Sequence, residues 1–204
     1  QQNSRYVLHF AKIGEEHGAE MICIGTEYKI AAVEREQHWR DLIKEVREVF
    51  SGKVTYAANW DNYHNIQFWD ELDYIGIDAY FPLIPDKTPP VEKMMYAWAP
   101  HFKAIKKFHE RYQKPVVFTE YGYMSVDGAA WEHWELEANE RTLPQNTTAQ
   151  SNAYEALFRK FWSQDWFAGG FLWKWYHYHD SVGQHHPNGF TPQNKPVEEV
   201  IHKY

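Results

Sequence analysis

Five short apolar segments recur along the chain, separated by stretches of helical or polar character. They cover 21–27, 53–60, 74–81, 115–123 and 167–176. Helical periodicity occupies the intervening and closing stretches 4–17, 37–50, 90–112, 147–164 and 196–202. Segments that are apolar on both faces are typical of parallel strands covered on both sides, and the helices between them supply the crossovers. The alternation therefore predicts an α/β fold with a parallel sheet.

Local signals predict the details of this pattern. Pro100 is expected to kink or break the helix at 90–112, and Thr147 or Thr148 is expected to cap the next helix. The stretches 124–146 and 177–195 are predicted to be loops. Neither a linker nor a sequence repeat interrupts the chain, which predicts that 1–204 is a single domain.

Polar or aromatic residues stand at the carboxyl ends of the predicted strands. They are Thr26-Glu27, Asn59-Trp60, Asp78 to Tyr80, Thr119-Glu120 and, on the fifth strand, Trp173. A glycine-rich phosphate turn follows none of these strands, which argues against a nucleotide-binding doubly wound sheet. Chemistry at the carboxyl ends of parallel strands is typical of a (β/α)8 TIM barrel, which needs about 250 residues. The chain is therefore predicted to supply strands 4–8 of a catalytic barrel and to lack the amino-terminal β/α units.

Charge, hydropathy and cysteine content argue against several classes of protein. The formal net charge is −7 and no basic run is present, so no nucleic-acid partner is expected. No apolar run is long enough to predict a membrane span. Cys23 is the only cysteine and is interpreted as a small inward-facing core residue. Neither a cofactor nor a metal is predicted, because no carboxylate or cysteine completes a ligand spacing with His177, His179, His185 and His186.

Aromatic residues are unusually frequent, at 18% of a chain whose mean hydropathy is −0.70. Flat amphipathic rings in this number favour a concave surface that stacks against sugar rings. An aromatic-rich core is the alternative reading of the same composition. Trp60, Trp131 and Trp134 follow predicted strands, so they are candidate platforms for outer sugar units or, equally, anchors for loops.

Two glutamates end otherwise apolar strands beside aromatic residues. Strict alternation would place Glu27 on the same face as Cys23 and Gly25, and Glu120 on the same face as Val116 and Phe118. Both carboxylates would then meet at the mouth of the barrel. Retaining glycosidases need such a pair, about 5–5.5 Å apart, as acid/base and nucleophile. The pattern predicts this chemistry, although either glutamate alone would be read as a surface carboxylate.

Four segments resemble the strand 4, 6, 7 and 8 signatures of clan A glycoside hydrolases. They are Ile24-Gly-Thr-Glu-Tyr28, Tyr74-Ile-Gly-Ile-Asp-Ala-Tyr-Phe-Pro82, Val117-Phe-Thr-Glu-Tyr-Gly-Tyr123 and Gly170-Phe-Leu-Trp-Lys-Trp175. Within the clan the chain is most similar to glycoside hydrolase family 113, known for endo-β-1,4-mannanases. The closing segment 190–201 also resembles that family's carboxyl-terminal segment.

The resemblance implies roles for individual residues. Glu27 would be the general acid/base and Glu120 the nucleophile, with Tyr80 near the nucleophile and Trp173 beneath the sugar at the cleavage point. Many clan A families have Asn before the acid/base, where it contacts the substrate 2-hydroxyl. Here that residue is Thr26, which leaves the contact unassigned. Asp78, one layer below Tyr80, is interpreted as a buried hydrogen-bond partner.

The expected function is therefore a retaining glycoside hydrolase that acts on β-1,4-linked polysaccharide or oligosaccharide, with β-mannan as the expected substrate. A glycosidase for another β-glycan, such as glucan or galactan, and a non-catalytic carbohydrate-binding barrel are the alternatives. An amino-terminal barrel half or another chain is expected to complete the fold, because an open barrel exposes strand edges and apolar surface. The substrate class implies an extracellular or periplasmic location.

Overall fold

A five-stranded parallel sheet organises the molecule, seen in a computed structural model that describes residues 2–139, 142–185 and 187–204. The strands follow the order of the chain. They are β1 Met21–Thr26, β2 Lys53–Asn59, β3 Ile75–Asp78, β4 Val116–Tyr121 and β5 Phe167–Leu172. Such sequential order is that of consecutive barrel strands, whereas a doubly wound sheet reverses direction at a switch point. The predicted parallel α/β class is confirmed.

Eight helices precede, connect or follow the strands within the described residues. They are α1 Gln2–Glu16, α2 Lys29–Glu34, α3 Glu36–Arg47, α4 Val91–Tyr112, α5 His133–Ala138, α6 Thr147–Phe161, α7 His179–His185 and α8 Val197–Ile201. Two single 3₁₀ turns, Tyr63–Asn65 and Trp69–Glu71, lie between β2 and β3. None of the described helices has the length and hydropathy needed to cross a bilayer.

The helices differ from the sequence expectations in three ways. The predicted loops 124–146 and 177–195 contain α5 and α7. Helix α4 continues through Pro100, so a break at this residue is not found; Pro100 is exposed, and the carbonyl that loses its N–H partner can bond to water. Asn146, not Thr147 or Thr148, caps α6, and its side chain accepts a 2.9 Å hydrogen bond from the Ala149 amide.

The helix-covered face of the sheet holds the main core. Phe118 of β4 packs between Trp98 of α4 and Phe161 of α6, with ring centroids 6.5 and 4.9 Å away. All three side chains are fully buried. Large interlocking rings explain much of the aromatic content, so the aromatic-rich core is part of the correct interpretation.

The opposite, inner face of the sheet is largely open. A concavity on this face is lined by Met21, Cys23, Thr26, Thr55, Ala57, Thr119, Glu120 and Phe171. Cys23 is exposed, and Phe171 is 55% exposed. The expectation that Cys23 is a core residue is therefore wrong for this structure, because five strands curve around the inner face without closing over it.

Candidate active site

The carboxyl ends of the strands meet at one cavity of ≈ 280 Å³. Its lining residues are Glu27, Asn59, Trp60, Tyr80, Glu120, His133, Trp134, Glu137, Trp173 and Phe190. Five of the six predicted site residues are brought together here, and they come from the ends of five different strands or the loops after them. This arrangement follows from parallel topology, in which all carboxyl ends share one edge of the sheet.

Glu27 reaches the cavity by a path that alternation along β1 does not predict. The register with β2 shifts between Cys23 and Thr26. A Cβ on Gly25 would meet the Trp39 ring of α3 at 2.8 Å, so Gly25 faces the helices and does not share the inner face with Cys23. Glu27 then adopts a left-handed φ of 54°, and its amide donates to the Ala57 carbonyl at 2.9 Å. The predicted position of Glu27 is correct, but the predicted facing of Gly25 is wrong.

A second irregularity directs Glu120. Val116 and Phe118 are buried, and Phe118 faces the helices, so the prediction that it shares the inner face with Glu120 is wrong. The register between β3 and β4 pairs Ile77 with Phe118 but Asp78 with Glu120. One extra residue on β4, Thr119, is therefore accommodated by a bulge, which turns the next side chain toward the inner face. Both catalytic candidates owe their direction to broken alternation.

Hydrogen bonds orient Glu120 and the carboxyl group beneath it. The Tyr80 hydroxyl donates to Glu120 Oε2 at 3.0 Å, consistent with the expected place of Tyr80 beside the nucleophile. The Thr119 hydroxyl donates to Asp78 Oδ1 at 2.7 Å. Asp78 is fully buried, as expected of a hydrogen-bond partner. Three carboxyl groups thus lie at the carboxyl ends of β1, β3 and β4.

Proton affinity is raised at both glutamates. Partial burial raises the pKa of Glu27, and the negative charges of Glu120 and Asp61 raise it further. Burial also raises the pKa of Glu120, but the hydrogen bond from Tyr80 opposes this effect. The surroundings of the two carboxyls therefore differ in the direction that separates a proton donor from a nucleophile.

Aromatic side chains form one wall of the cavity. The Trp60 and Trp134 rings are stacked, with an interplanar angle of 7° and centroids 6.2 Å apart. Trp173 follows β5 and is 39% exposed, and a cis peptide bond joins it to Lys174. Trp131 is not among the residues that line the cavity. Trp134, on α5, is the tryptophan of this stretch that lines the cavity.

His133, Glu137 and Phe190 also line the cavity, although no sequence pattern predicts them as site residues. His133 is buried against the Tyr80, Tyr123 and Phe190 rings, and burial lowers its pKa to about 4. His133 and Glu137 lie on α5 in a stretch predicted to be a loop. A local helical signal in Trp131-Glu-His-Trp-Glu-Leu136 was the only cue available.

Metal binding has no support among the residues that the structure describes. No group of three or more His, Cys, Asp or Glu side chains there is arranged to hold an ion. His186 lies outside the described residues, as does the side chain of His185. A larger hollow of ≈ 630 Å³ lies at the opposite edge of the sheet, lined by residues such as Glu20, Lys53 and Phe171. It is the amino end of the open inner face and lacks the converging carboxyls of the smaller cavity.

Comparisons with known proteins point to one family. The sequence profile of Glycoside Hydrolase Family 113 matches residues 1–195. A solved GH113 β-1,4-mannanase is 31% identical, with a TM-score of 0.83 over 99% of this chain and 60% of its own. The GH113 β-mannanase AaManA from Alicyclobacillus acidocaldarius is 27% identical, with a TM-score of 0.81 over 98% of this chain and 59% of its own. These matches confirm the predicted partial TIM barrel.

More distant similarity extends to the fold alone. A β-glucuronidase from an uncultured Clostridium species is 18% identical, with a TM-score of 0.67 over 98% of this chain and 35% of its own. No protein of curated function gave a significant match. The chain spans about 60% of the length of the solved mannanases that it matches.

Proposed function

The chain belongs to glycoside hydrolase family 113, and from this premise we propose that the active protein cleaves β-1,4-linked mannan with retention of configuration. One observation carries the proposal: Glu27 and Glu120 line the same cavity, and their surroundings differ as acid and nucleophile require. Two solved mannanases of the same family overlay nearly the whole chain. β-Mannan is accordingly the substrate that the comparisons favour over glucan or galactan.

The proposed reaction is a double displacement. Glu120, ionised and held by the Tyr80 hydroxyl, attacks the anomeric carbon while protonated Glu27 gives its proton to the departing glycosidic oxygen. Glu27 then removes a proton from water, and the water oxygen displaces Glu120 from the anomeric carbon. Glu27 suits the donor role because nearby negative charge favours its protonated form. Glu120 suits the nucleophile role because the hydrogen bond from the Tyr80 hydroxyl favours the ionised form of Glu120.

Substrate binding is assigned to the aromatic wall. Trp173 lines the cavity and is proposed to lie beneath the sugar at the cleavage point, while the exposed ring of Trp134, stacked on Trp60, extends this surface. Aromatic faces bind pyranose rings through their C–H surfaces while hydroxyl groups reach polar neighbours. A row of such rings is suited to a polymer and supports action within the chain over release of terminal sugars.

Completion of the barrel is part of the proposal. Exposed large apolar side chains are concentrated beside the two edge strands: Tyr6, Phe10, Ile30 and Val33 on α1 and α2, and Phe171, Trp173 and Trp175 along and after β5. Unpaired strand edges and exposed apolar surface of this kind favour association or aggregation unless another element covers them. We infer that further β/α units, from an amino-terminal barrel half or another chain, pair with β1 and β5.

The test uses the protein in the longest form that its source produces, and its intact mass establishes whether additional β/α units are present. It is incubated with β-1,4-mannan, β-1,4-glucan and β-1,4-galactan, and reducing ends are counted. Proton NMR of the first product then reports its anomeric configuration. We expect cleavage of mannan with a β-anomer as the first product.

Matched variants distinguish the alternatives. Glu120→Ala and Glu27→Ala should abolish cleavage while Glu120→Ala still binds mannooligosaccharide. Glucan or galactan cleavage in place of mannan would retain the glycosidase assignment but overturn the substrate. Tight oligosaccharide binding without cleavage by a complete wild-type barrel would favour a non-catalytic binding protein. An α-anomer as first product would exclude the retaining mechanism.

A further inference from the structure

Asp78 is a third carboxyl group beneath the two glutamates. It ends β3 and pairs in the sheet with Asn59 on one side and Glu120 on the other. Its side chain is fully buried. The Thr119 hydroxyl donates to Oδ1 at 2.7 Å, whereas Oδ2 is buried without a donor. An ionised carboxylate can only accept hydrogen bonds, so ionisation would leave Oδ2 charged and unsolvated.

The neighbours of Asp78 make its ionised form still less favourable. Glu27 and Asp78 interact electrostatically: the charge of Glu27 raises the pKa of Asp78, whereas the Asp78 side chain lowers the pKa of Glu27. Two carboxyls can share a hydrogen bond only if one of them carries a proton. Glu120 acts on Asp78 from the other side with a second negative charge. The remaining titratable neighbours, Cys23 of β1, Tyr56 of β2 and Tyr80 after β3, are neutral in their ordinary forms.

We propose that Asp78 is a positioning residue that stays protonated up to near neutral pH and donates a hydrogen bond from Oδ2 to the Glu27 carboxyl group. Burial, followed by the charges of Glu120 and Glu27, raises the pKa of Asp78 to about 7 against the opposing hydrogen bond from Thr119. The geometry is independent of this shift: Oδ1 accepts from Thr119, and Oδ2 is buried without a donor at the edge where β3 pairs with Glu120 of β4.

The role of Asp78 rests on the proposed function. When Glu27 gives its proton to the departing oxygen, a donor already in place stabilises the new carboxylate without solvent reorganisation. When Glu27 later takes a proton from water, the Asp78 proton remains on Oδ2. A neutral Asp78 also adds no negative charge next to Glu120, which must itself be ionised to attack.

The location of the proton can be measured on the chain without any assay of activity. Aspartate labelled with ¹³C at the side-chain carboxyl separates aspartate from glutamate bands in infrared spectra. We expect a protonated aspartate band just below neutral pH that is absent from Asp78→Asn. The band should survive in Glu27→Gln at a shifted frequency, because its acceptor becomes an amide. Thr119→Val should keep the band to higher pH, since loss of this donor removes support for the ionised form.

Two infrared outcomes would overturn the proposal. One is a wild-type spectrum with no protonated aspartate band that Asp78→Asn removes. The other is a protonated glutamate band that Glu27→Gln removes and that appears in place of the aspartate band, which would put the shared proton on Glu27. Circular dichroism of each variant establishes whether it is folded. Thr119→Val tests the pH range of the aspartate band without replacing Asp78 itself.

The kinetic role is tested in the longest form of the enzyme, with conservative rescue as the readout. Asp78→Asn presents an oxygen to Thr119 and an N–H to Glu27, so its kcat on mannooligosaccharide should stay within about 3-fold of wild type. Asp78→Leu lacks the donor and should lose about 10- to 100-fold. The loss should shrink with a dinitrophenyl mannoside, whose leaving group needs little help from an acid.

The kinetic outcomes separate this proposal from the proposed function. If Asp78→Asn is as slow as Asp78→Leu, the site needs the charge of Asp78 and the proposal is wrong. Equal losses on both substrates would indicate a structural role only. If the wild-type enzyme cleaves neither substrate, the proposed function fails, whereas the infrared result still decides where the proton lies.

Discussion

The two faces of the sheet are built on opposite principles. On the helix-covered face, Phe118 is fully enclosed by rings from α4 and α6, and regular alternation places it there. On the inner face, Phe171 is 55% exposed, and bulges break the alternation where Glu27 and Glu120 turn toward the cavity. One face contributes the stability of the fold, and the other, at its carboxyl edge, carries the chemistry.

The contrast shows why polar groups are concentrated where the sheet is irregular. A regular strand directs every second side chain into the helical layer, where a carboxylate would be costly. An extra residue in β4 and the left-handed Glu27 place consecutive polar side chains on the inner side. The irregularities are therefore the means by which an apolar sheet presents carboxyl groups at its edge.

Glu120→Ala is expected to give the largest difference between an effect on activity and an effect on stability. Loss of the nucleophile should lower kcat at least about 10⁴-fold, or about 5.5 kcal/mol in the barrier. The free energy of unfolding should change by less than about 1 kcal/mol, because the side chain is only half-buried. Steady-state kinetics on mannooligosaccharide and urea unfolding measure the two quantities. Wild-type turnover in this variant would remove Glu120 from the mechanism.

The same amino acid on opposite faces provides a matched pair for stability. Phe118→Ala should lower the free energy of unfolding by about 3–5 kcal/mol, through lost burial and a cavity. In residues 1–204 on their own, Phe171→Ala should cost less than about 1 kcal/mol, since more than half of its surface is in contact with water. Urea unfolding of both variants tests this. A similar large cost for Phe171 would mean that another element covers the inner face in solution.

The pH dependence of the free energy of unfolding tests whether the buried Asp78 carboxyl is protonated in the folded protein. The pKa of Asp78 is about 7 in the folded protein against an ordinary value of 3.8, so the folded state binds the proton more tightly than the unfolded state. Its contribution is fully present below pH 4 and is lost as pH rises toward 7. Between pH 5 and 7.5 the wild type should lose on the order of 2 kcal/mol relative to Asp78→Asn. Parallel stability curves for the two proteins would contradict this.

The smallest expected effect concerns the hydroxyl that orients the nucleophile. Tyr80→Phe should lower kcat about 10-fold through loss of one hydrogen bond to a charged group. The pKa of Glu120 should also rise, because Tyr80 favours its ionised form, and the acidic limb of the pH–rate profile should move to higher pH. Tyr123→Phe is the control, since Tyr123 packs against the same His133 but does not line the cavity. Equal changes in both variants would point to packing.

Much of the site was predictable from the chain alone. Parallel strands bring their carboxyl ends to one edge whatever the details of packing, so Glu27, Trp60, Tyr80, Glu120 and Trp173 converge as expected. Trp131 was not brought into the cavity, because its direction depends on how α5 folds against the site. Glu27 and Glu120 were predicted to face inward by strict alternation, which gave the right direction for the wrong local reason.

The amino-acid sequence by itself determined the alternation of strands and helices, the parallel class of the sheet and the grouping of chemistry at the strand ends. These properties follow from periodicity and order along the chain, which are local. The tertiary structure decided which side chain faces which side at each bulge, that Asn146 caps α6, and that Asp78 is sealed beneath two other carboxyls. Such features depend on hydrogen bonds and burial contributed by distant parts of the chain, such as Thr88 and Asp127 around Asn146, whose effects are not visible in a single segment.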